Sequence, residues 1–216
     1  TELMVPIIRD NRGYVNKFLG DGMMFFYGAP RENALHAKDA VITALRMQQK
    51  MDSFNKTLVE RDLPTVKMRV GIASGPMVVG DAGPATASDY TVLGDTVNLA
   101  ARLESANKYT STLVMLNEGT AQAIGDDLVL LRPLARLQVK GKTEGVMVYE
   151  PLALIEEATD EHRRHAKLGK AVVDAYVAAD FDNCLAALDE LETAFGPTNL
   201  NIRYRDACEL YKKELP

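Results

Sequence analysis

The chain has 216 residues, of which 47% are hydrophobic and 25% are charged, so it can bury a core as one large domain or as a domain with a small appendage. A formal net charge of -5 argues against a broad basic surface for nucleic acid or anionic lipid. The apolar runs are too short to cross a bilayer, so no membrane contact is expected from a spanning segment of this chain.

The first third of the chain alternates between helical and strand periodicity. The predicted elements are, in order, the end of a helix at 1–10 closed near Gly13, strands at 14–18 and 23–27, a helix at 33–61 and a strand at 66–72. The two strands at 14–27 flank Gly20-Asp21-Gly22, a turn typical of a hairpin. Residue 1 is Thr and lies within the first predicted helix, so we expect an N-terminal truncation.

The middle of the chain continues the interleaving of strands and helices. The predicted elements are a strand at 77–79, a small-residue loop at 80–88, a strand at 89–93, a helix at 94–106, and strands at 112–116, 128–131, 135–139 and 146–150. This order predicts an α/β (α+β) sandwich over residues 1–154, with helices packed on a sheet.

After Pro151 the strand signal stops and helical periodicity begins. Residues 155–216 predict a second, α-helical C-terminal segment with three helices and a break at Gly196-Pro197. The expected packing face consists of Ala171, Ala175, Ala178, Phe181, Leu185, Leu188 and Leu191. The two cysteines of the chain, Cys184 and Cys208, lack CxxC spacing and indicate neither a disulfide framework nor a zinc site, which suits a cytoplasmic protein.

Residues 89–104 carry the most informative polar pattern. If a helix begins near Asp95, then Asn98 and Arg102 stand four residues apart on one face. Their amide and guanidinium groups can donate to a ribose oxygen and to a phosphate. A solvated polar stripe on a surface helix is the alternative interpretation.

Several segments together resemble the signature of class III adenylate and guanylate cyclases. They are Y-T-V-L-G-D-T-V-N-L-A-A-R-L-E-S, V-N-K-F-L-G-D-G with F-Y-G-A-P, V-G-I-A-S-G-P-M-V-V-G-D and V-K-G-K. The resemblance covers roughly residues 1–152 in the right order and spacing. It implies a ferredoxin-like sandwich that works as a homodimer with composite sites at the interface. It also implies that two divalent ions, Mg or Mn, assist attack of the ribose 3′-oxygen of ATP on the α-phosphate, with loss of pyrophosphate, in second-messenger signalling.

The resemblance assigns a metal ligand and the groups that read the purine. Asp21 matches one of two metal-binding aspartates, although a plain Asp-Gly hairpin turn is the alternative for this residue alone. Lys17 and Thr91 match the purine-reading positions, and Lys with Thr resembles the adenylate type. A Lys donor suits adenine N1, and a Thr hydroxyl can accept from the exocyclic amine. Without the resemblance they are an ordinary exposed strand Lys and a β-branched strand Thr.

The resemblance also assigns the catalytic residues and a phosphate ligand. Asn98 matches the residue that orients the ribose, and Arg102 matches the one that stabilises charge on the phosphates in the transition state. Lys140 matches the lysine that holds the terminal phosphates, with an ordinary basic turn as the alternative.

One family segment is absent from the sequence. The other metal aspartate of the family lies in a segment resembling F-x-D-I-x-G-F-T, which does not occur in this chain. We therefore expect a cyclase sandwich that lacks its first strand and most of its first helix, either because this sequence omits them or because the protein itself has none, and a fragment that alone is inactive or nearly so. The parent protein is expected to be intact and active, and it can be tethered to a membrane through upstream domains. A non-catalytic cyclase-homology module for dimerisation or nucleotide sensing is the alternative.

The helical C-terminal segment weakly resembles the tetratricopeptide-like tail of some bacterial cyclases. Its segments A-A-D-F-D-N-C-L-A-A-L and N-I-R-Y-R-D-A-C carry the resemblance, and it is expected to brace the cyclase domain or the dimer. His162 and His165 lie three residues apart there without carboxylate company, which favours surface residues over metal ligands.

Overall fold

The structure of the chain is a computed structural model, and it describes residues 2–83, 89–138 and 145–214. The helices are α1 (Val5–Asp10), α2 (His36–Glu60), α3 (Asp95–Thr110), α4 (Glu118–Ile124), α5 (Asp160–Val177), α6 (Phe181–Phe195) and α7 (Asn199–Glu214). The strands are β1 (Tyr14–Leu19), β2 (Gly22–Phe26), β3 (Val70–Ile72), β4 (Val78–Ala82), β5 (Asp89–Leu93), β6 (Val114–Asn117), β7 (Val129–Leu137) and β8 (Val146–Leu154). No described helix is long and apolar enough to span a membrane.

The main sheet has four strands in the order β3-β6-β8-β7. Strand β6 runs parallel to β3 and antiparallel to β8, which in turn pairs antiparallel with β7. All four residues of β6 are buried, as expected for an inner strand covered on both faces. The pairs β1-β2 and β4-β5 form two separate antiparallel hairpin ladders. The architecture is mixed α+β, which confirms the predicted fold class.

Helix α2 covers one part of the sheet through an apolar stripe. Ala37, Val41, Ala44 and Leu45 recur at three- and four-residue steps and are buried. Three of them contact a cluster that includes Leu116 of the inner strand. The apolar residues that recur at helical spacing in the sequence therefore form the contact between this helix and the sheet.

The three C-terminal helices share one core with the sheet. Val172 of α5, Leu188 of α6 and Leu200 of α7 belong to the same buried cluster as Leu103 of α3 and Met115 of β6. The tetratricopeptide-like character of this tail, and the division of the chain at residue 154, remain predictions.

A buried ion pair and a buried tyrosine lie where the tail meets the sheet. Arg132 of β7 contacts Glu150 of β8 at 2.6 Å with its side chain 5% exposed, and burial nevertheless raises the pKa of Glu150. The Tyr204 hydroxyl of α7 donates to the Leu134 carbonyl at 2.7 Å. These polar groups are therefore paired, whereas Nδ2 of the buried Asn201 at the same junction has no hydrogen-bond partner among the described residues.

Two strand boundaries differ from the prediction at the ends of the sheet. The strand expected at 66–72 is only Val70–Ile72, because both backbone polar groups of Val66 bond to the Asn55 side chain at 2.9 Å instead of to a strand. The strand signal was also predicted to stop after Pro151, but β8 continues through this residue to Leu154.

Other differences concern turns and short elements. Residues 80–82, expected in a loop, belong to β4, Gly83 follows as a bend, and loop residues 84–88 lie outside the described ranges. The strands expected at 128–131 and 135–139 form one strand as far as residue 137, and Val139 is outside the described residues. Helix α4 was not predicted. The left-handed residue that follows α1 is Arg12, with φ of 66°, rather than Gly13.

Candidate active site

The turn between β1 and β2 presents Asp21 to solvent. Leu19 pairs with Gly22, which leaves Gly20 and Asp21 as a two-residue turn. Gly20 has a φ of 64°, a left-handed conformation that glycine adopts without steric cost. This local chemistry holds the Asp21 carboxylate at the hairpin tip, where an approaching ligand can reach it.

The donor chemistry of Asp21 fits a hard divalent cation, which prefers carboxylate oxygen. Among the described residues, no group of three or more His, Cys, Asp or Glu side chains could hold a metal ion. Asp21 therefore belongs to no cluster of described residues that would complete the coordination sphere of an ion.

A β-bulge at Asn16 ties the first hairpin to the second. The register between β1 and β2 shifts between Val15 and Lys17, so the intervening Asn16 has no partner on β2. Its side chain instead donates from Nδ2 to the Tyr90 carbonyl of β5 at 2.7 Å. A bulge re-aims one side chain out of the strand ladder, and here it connects two hairpins.

The same bulge connects the two predicted purine-reading positions. The Thr91 hydroxyl donates to Oδ1 of Asn16 at 3.0 Å, and Lys17 directly follows Asn16 along β1. Thr91 is only 5% exposed, whereas the Lys17 side chain lies at the surface. The structure thus brings the strands that carry Lys17 and Thr91 together.

Helix α3 presents Asn98 and Arg102 on its exposed side, in the four-residue spacing that the sequence predicts. Its buried side carries Leu103, which is fully enclosed. Neither Asn98 nor Arg102 forms a side-chain hydrogen bond or ion pair with another described residue, so both groups can bind a ligand.

Two glycines allow the close packing that places α3. A Cβ at Gly71 of β3 would lie 2.1 Å from the Ala100 carbonyl oxygen, so only glycine lets this helix rest so near the strand. A Cβ at Gly75 would lie 2.7 Å from Oγ1 of Thr96, the hydroxyl that donates to the Pro76 carbonyl near the start of α3. The position of Arg102 therefore depends on residues far from it in sequence.

Apolar side chains on both hairpins are exposed near the predicted site. Phe18 and Leu19 of β1 are each 58% exposed, Val78 of β4 is 72% exposed and Leu93 of β5 is 57% exposed. Exposed apolar residues clustered on neighbouring elements are typical of a protein interface.

The sequence missed two residues that shape this site. Asn16 was unremarkable as one polar residue in an aromatic-rich strand, and Gly71 was unremarkable in an alternating strand. Lys140, the predicted ligand of the terminal phosphates, lies outside the described residues.

A model of the adenylate and guanylate cyclase catalytic domain matches residues 3–150, which is more than half of the chain. The chain belongs to the class III adenylate and guanylate cyclase family. This confirms the resemblance predicted from the sequence. Class III cyclases generally use divalent metals such as Mg or Mn, which agrees with the donor chemistry of Asp21.

Curated relatives of this class III cyclase domain include adenylate cyclases. It is 32% identical over 154 residues to adenylate cyclase 1 of Rhizobium meliloti (strain 1021), covering 71% of this chain and 23% of that protein. It is also 32% identical to the adenylate cyclase of Anabaena cylindrica, covering 68% of this chain and 30% of that protein. The chain therefore spans less than a third of either relative.

Solved structures of both nucleotide types resemble this cyclase domain. The adenylyl cyclase CyaB from P. aeruginosa matches with a TM-score of 0.62 at 29% identity, over 74% of this chain and 80% of that one. The guanylyl cyclase Cya2 matches with a TM-score of 0.61 at 28% identity, over 72% of this chain and 78% of that one. Family membership alone thus leaves the choice between ATP and GTP to the site residues.

Proposed function

We propose that this domain catalyses the conversion of ATP to 3′,5′-cyclic AMP and pyrophosphate in second-messenger signalling. A bond forms between the ribose 3′-oxygen and the α-phosphorus, and the bond from that phosphorus to the oxygen bridging to the β-phosphorus breaks. Pyrophosphate leaves with that bridging oxygen, and the proton of the 3′-hydroxyl is released. The enzyme is then a phosphorus-oxygen lyase of the adenylate type.

The observation that carries the adenylate assignment is the Asn16 link between the strands of Lys17 and Thr91. In this proposal the Lys17 ammonium donates to adenine N1, and the Thr91 hydroxyl accepts from the exocyclic amine. Guanine offers a protonated N1 and a carbonyl oxygen instead, so both contacts would fail with GTP. The base is thus read by one donor and one acceptor.

The remaining site residues act on the ribose and the phosphates. Asn98 orients the ribose, and the Arg102 guanidinium stabilises negative charge that develops in the transition state. Lys140 holds the terminal phosphates, and Asp21 provides an oxygen ligand to the divalent ions. When bound, those ions supply Lewis-acid stabilisation of phosphate charge.

We also infer that the domain works as a homodimer. The exposed apolar side chains of Phe18, Leu19, Val78 and Leu93 support this proposal, because pairing would remove them from water. The same surface carries the hairpin whose tip holds Asp21. A second protomer docked there would sit beside the proposed metal ligand.

The proposal is tested by assaying the complete gene product with Mg or Mn. We expect cyclic AMP from ATP in excess over cyclic GMP from GTP, measured by mass spectrometry. Asp21→Asn and Arg102→Ala should each lower the rate by about 100-fold or more, while folding is unchanged because both side chains are exposed. The matched control is Asp52→Asn, an exposed carboxylate on α2, which should retain the rate. Absence of cyclic AMP with either metal would leave the non-catalytic module as the better interpretation.

A further inference from the structure

The side chain of Asn16 is held in one orientation by two hydrogen bonds of different kinds. Its Nδ2 donates to the Tyr90 carbonyl at 2.7 Å, and its Oδ1 accepts from the Thr91 hydroxyl at 3.0 Å. A backbone carbonyl oxygen can only accept, so it requires the amide nitrogen, not the amide oxygen, to face Tyr90. The amide oxygen must therefore face Thr91.

This orientation fixes the polarity of the Thr91 hydroxyl. An amide oxygen only accepts, so the Thr91 hydroxyl donates its single hydrogen to Oδ1 of Asn16. The lone pairs of the hydroxyl oxygen are then all that Thr91 can offer to a ligand. A hydroxyl without such a neighbour rotates and can donate as readily as it accepts.

The two purines differ at the atom that an acceptor of this kind would meet. Adenine carries an exocyclic amine that donates, whereas guanine carries a carbonyl oxygen that accepts. We propose that Asn16 is a specificity-determining positioning residue, which selects adenine against guanine by holding the Thr91 hydroxyl as a hydrogen-bond acceptor. This inference rests on the proposed role of Thr91 in binding the base.

The surroundings make an incorrect pairing costly. Thr91 is 5% exposed, so a guanine carbonyl placed against its lone pairs would find little water to replace the missing hydrogen bond. Asn16 also directly precedes Lys17, and the bulge that turns Asn16 towards β5 leaves Lys17 paired with Met24. One residue thus sets the geometry beside both proposed base contacts.

The test is the ratio of kcat/KM for ATP to kcat/KM for GTP in the complete gene product, since a ratio measured on one preparation cancels losses of folded enzyme. Asn16→Ala frees the Thr91 hydroxyl and should lower this ratio about tenfold, the equivalent of one buried hydrogen bond of roughly 1.4 kcal/mol. Asn16→Asp also loses the donor to Tyr90 but keeps an acceptor facing Thr91, so it should keep the ratio. These two variants separate hydroxyl polarity from the strand link.

Coupling to Thr91 provides a second criterion. Thr91→Val removes the hydroxyl while keeping the shape of the side chain, and it should lower the ratio by itself. Asn16→Ala should then have no further effect in the Thr91→Val background, because the group through which Asn16 acts is gone. Additive effects of the two substitutions would overturn the inference.

Other outcomes are equally decisive. An unchanged ratio in Asn16→Ala, or equal falls in Asn16→Ala and Asn16→Asp, would show that Asn16 only ties the strands together. An unchanged ratio in Thr91→Val would show that the hydroxyl does not meet the base. A preference for GTP over ATP in the protein without substitutions would instead refute the proposed function itself.

If the protein shows no cyclase activity, the preference for adenine can be measured by nucleotide binding instead. The analogues 3′-deoxy-ATP and 3′-deoxy-GTP lack the attacking hydroxyl, so calorimetry can report the ratio of their dissociation constants without catalysis. The same pattern across Asn16→Ala, Asn16→Asp and Thr91→Val is expected in this ratio. Equal affinity of the unmodified protein for both analogues would overturn the inference even where the cyclase assay gives no product.

Discussion

Gly71→Ala tests how the helix that carries Arg102 is held on the sheet. A Cβ at residue 71 would lie 2.1 Å from the Ala100 carbonyl oxygen and 2.3 Å from the Glu104 amide nitrogen. Both are backbone atoms of α3, so no side-chain rotation can relieve the contact. Ordinary contact begins near 3.4 Å, so the helix and strand must separate by about 1.3 Å (3.4 minus 2.1).

The expected cost has a stability part and a catalytic part. Overpacking of this kind destabilises by about 1–3 kcal/mol, which corresponds to a fall in Tm of roughly 2–12 °C for a domain of this size. Arg102 lies between the two displaced residues, Ala100 and Glu104, on the same helix. Since a misplacement of about 1 Å can cost on the order of 100-fold in rate, we expect a comparable loss of cyclase activity.

The assay combines thermal unfolding with nucleotide turnover in the complete gene product. Gly80→Ala is the matched control for stability, because a Cβ at Gly80 meets no atom within 4 Å and the backbone there is not left-handed. It should change the free energy of unfolding by no more than about 0.5 kcal/mol. A Gly71→Ala variant with the Tm and rate of the parent would refute the idea that backbone contact at Gly71 positions α3.

Two further predictions concern the tail. Tyr204→Phe leaves the buried Leu134 carbonyl without its 2.7 Å donor and should lower the free energy of unfolding by about 1–3 kcal/mol in chemical denaturation. Burial, with the charge of Arg132, lowers the pKa of His165 from 6.5 to about 4. As pH falls, His165 therefore takes up a proton in the unfolded chain before it does so in the folded one. The free energy of unfolding consequently decreases between about pH 6.5 and pH 4. His165→Phe keeps an aromatic ring beside Phe195, 4.2 Å away by ring centroids, and its Tm should fall less than that of the parent over this pH range.

Local signals in the sequence predicted the elements that carry the site. The Gly20-Asp21 turn and its flanking strands form as expected, since turn chemistry and strand period are properties of neighbouring residues. Asn98 and Arg102 lie on the same exposed face, as their four-residue spacing predicts, because α3 extends from Asp95 to Thr110. These features need no knowledge of distant contacts.

Features that depend on distant contacts could not be predicted. The bond from Asn16 to Thr91 joins residues 75 apart, and nothing near Asn16 in sequence indicates its partner. The expected packing face of α5 was also wrong in part. Ala171 and Ala178 are exposed, whereas Val172 and Val173 are buried, because this helix packs against both α6 and β7.

The two histidines of α5 show the same limit within one helix turn. His162, expected at the surface, is partly buried and caps the helix by accepting from the Thr159 amide nitrogen at 3.3 Å. His165, also expected at the surface, is half-buried and stacks on Phe195 of the next helix. Helical spacing identifies a face, but only the packing of neighbouring helices decides which residues of that face are covered.

The tail contacts α3, the helix that carries Arg102. The Asn199 amide nitrogen at the start of α7 donates to Oγ of Ser111, which follows the last turn of α3, at 3.2 Å. Leu103 of α3 is fully buried in the cluster that the tail helices complete. Loss of residues 155–216 would expose this cluster to water, and Leu103 is the immediate neighbour of Arg102. The tail therefore helps to fix the position of the guanidinium on which the proposed transition-state stabilisation depends.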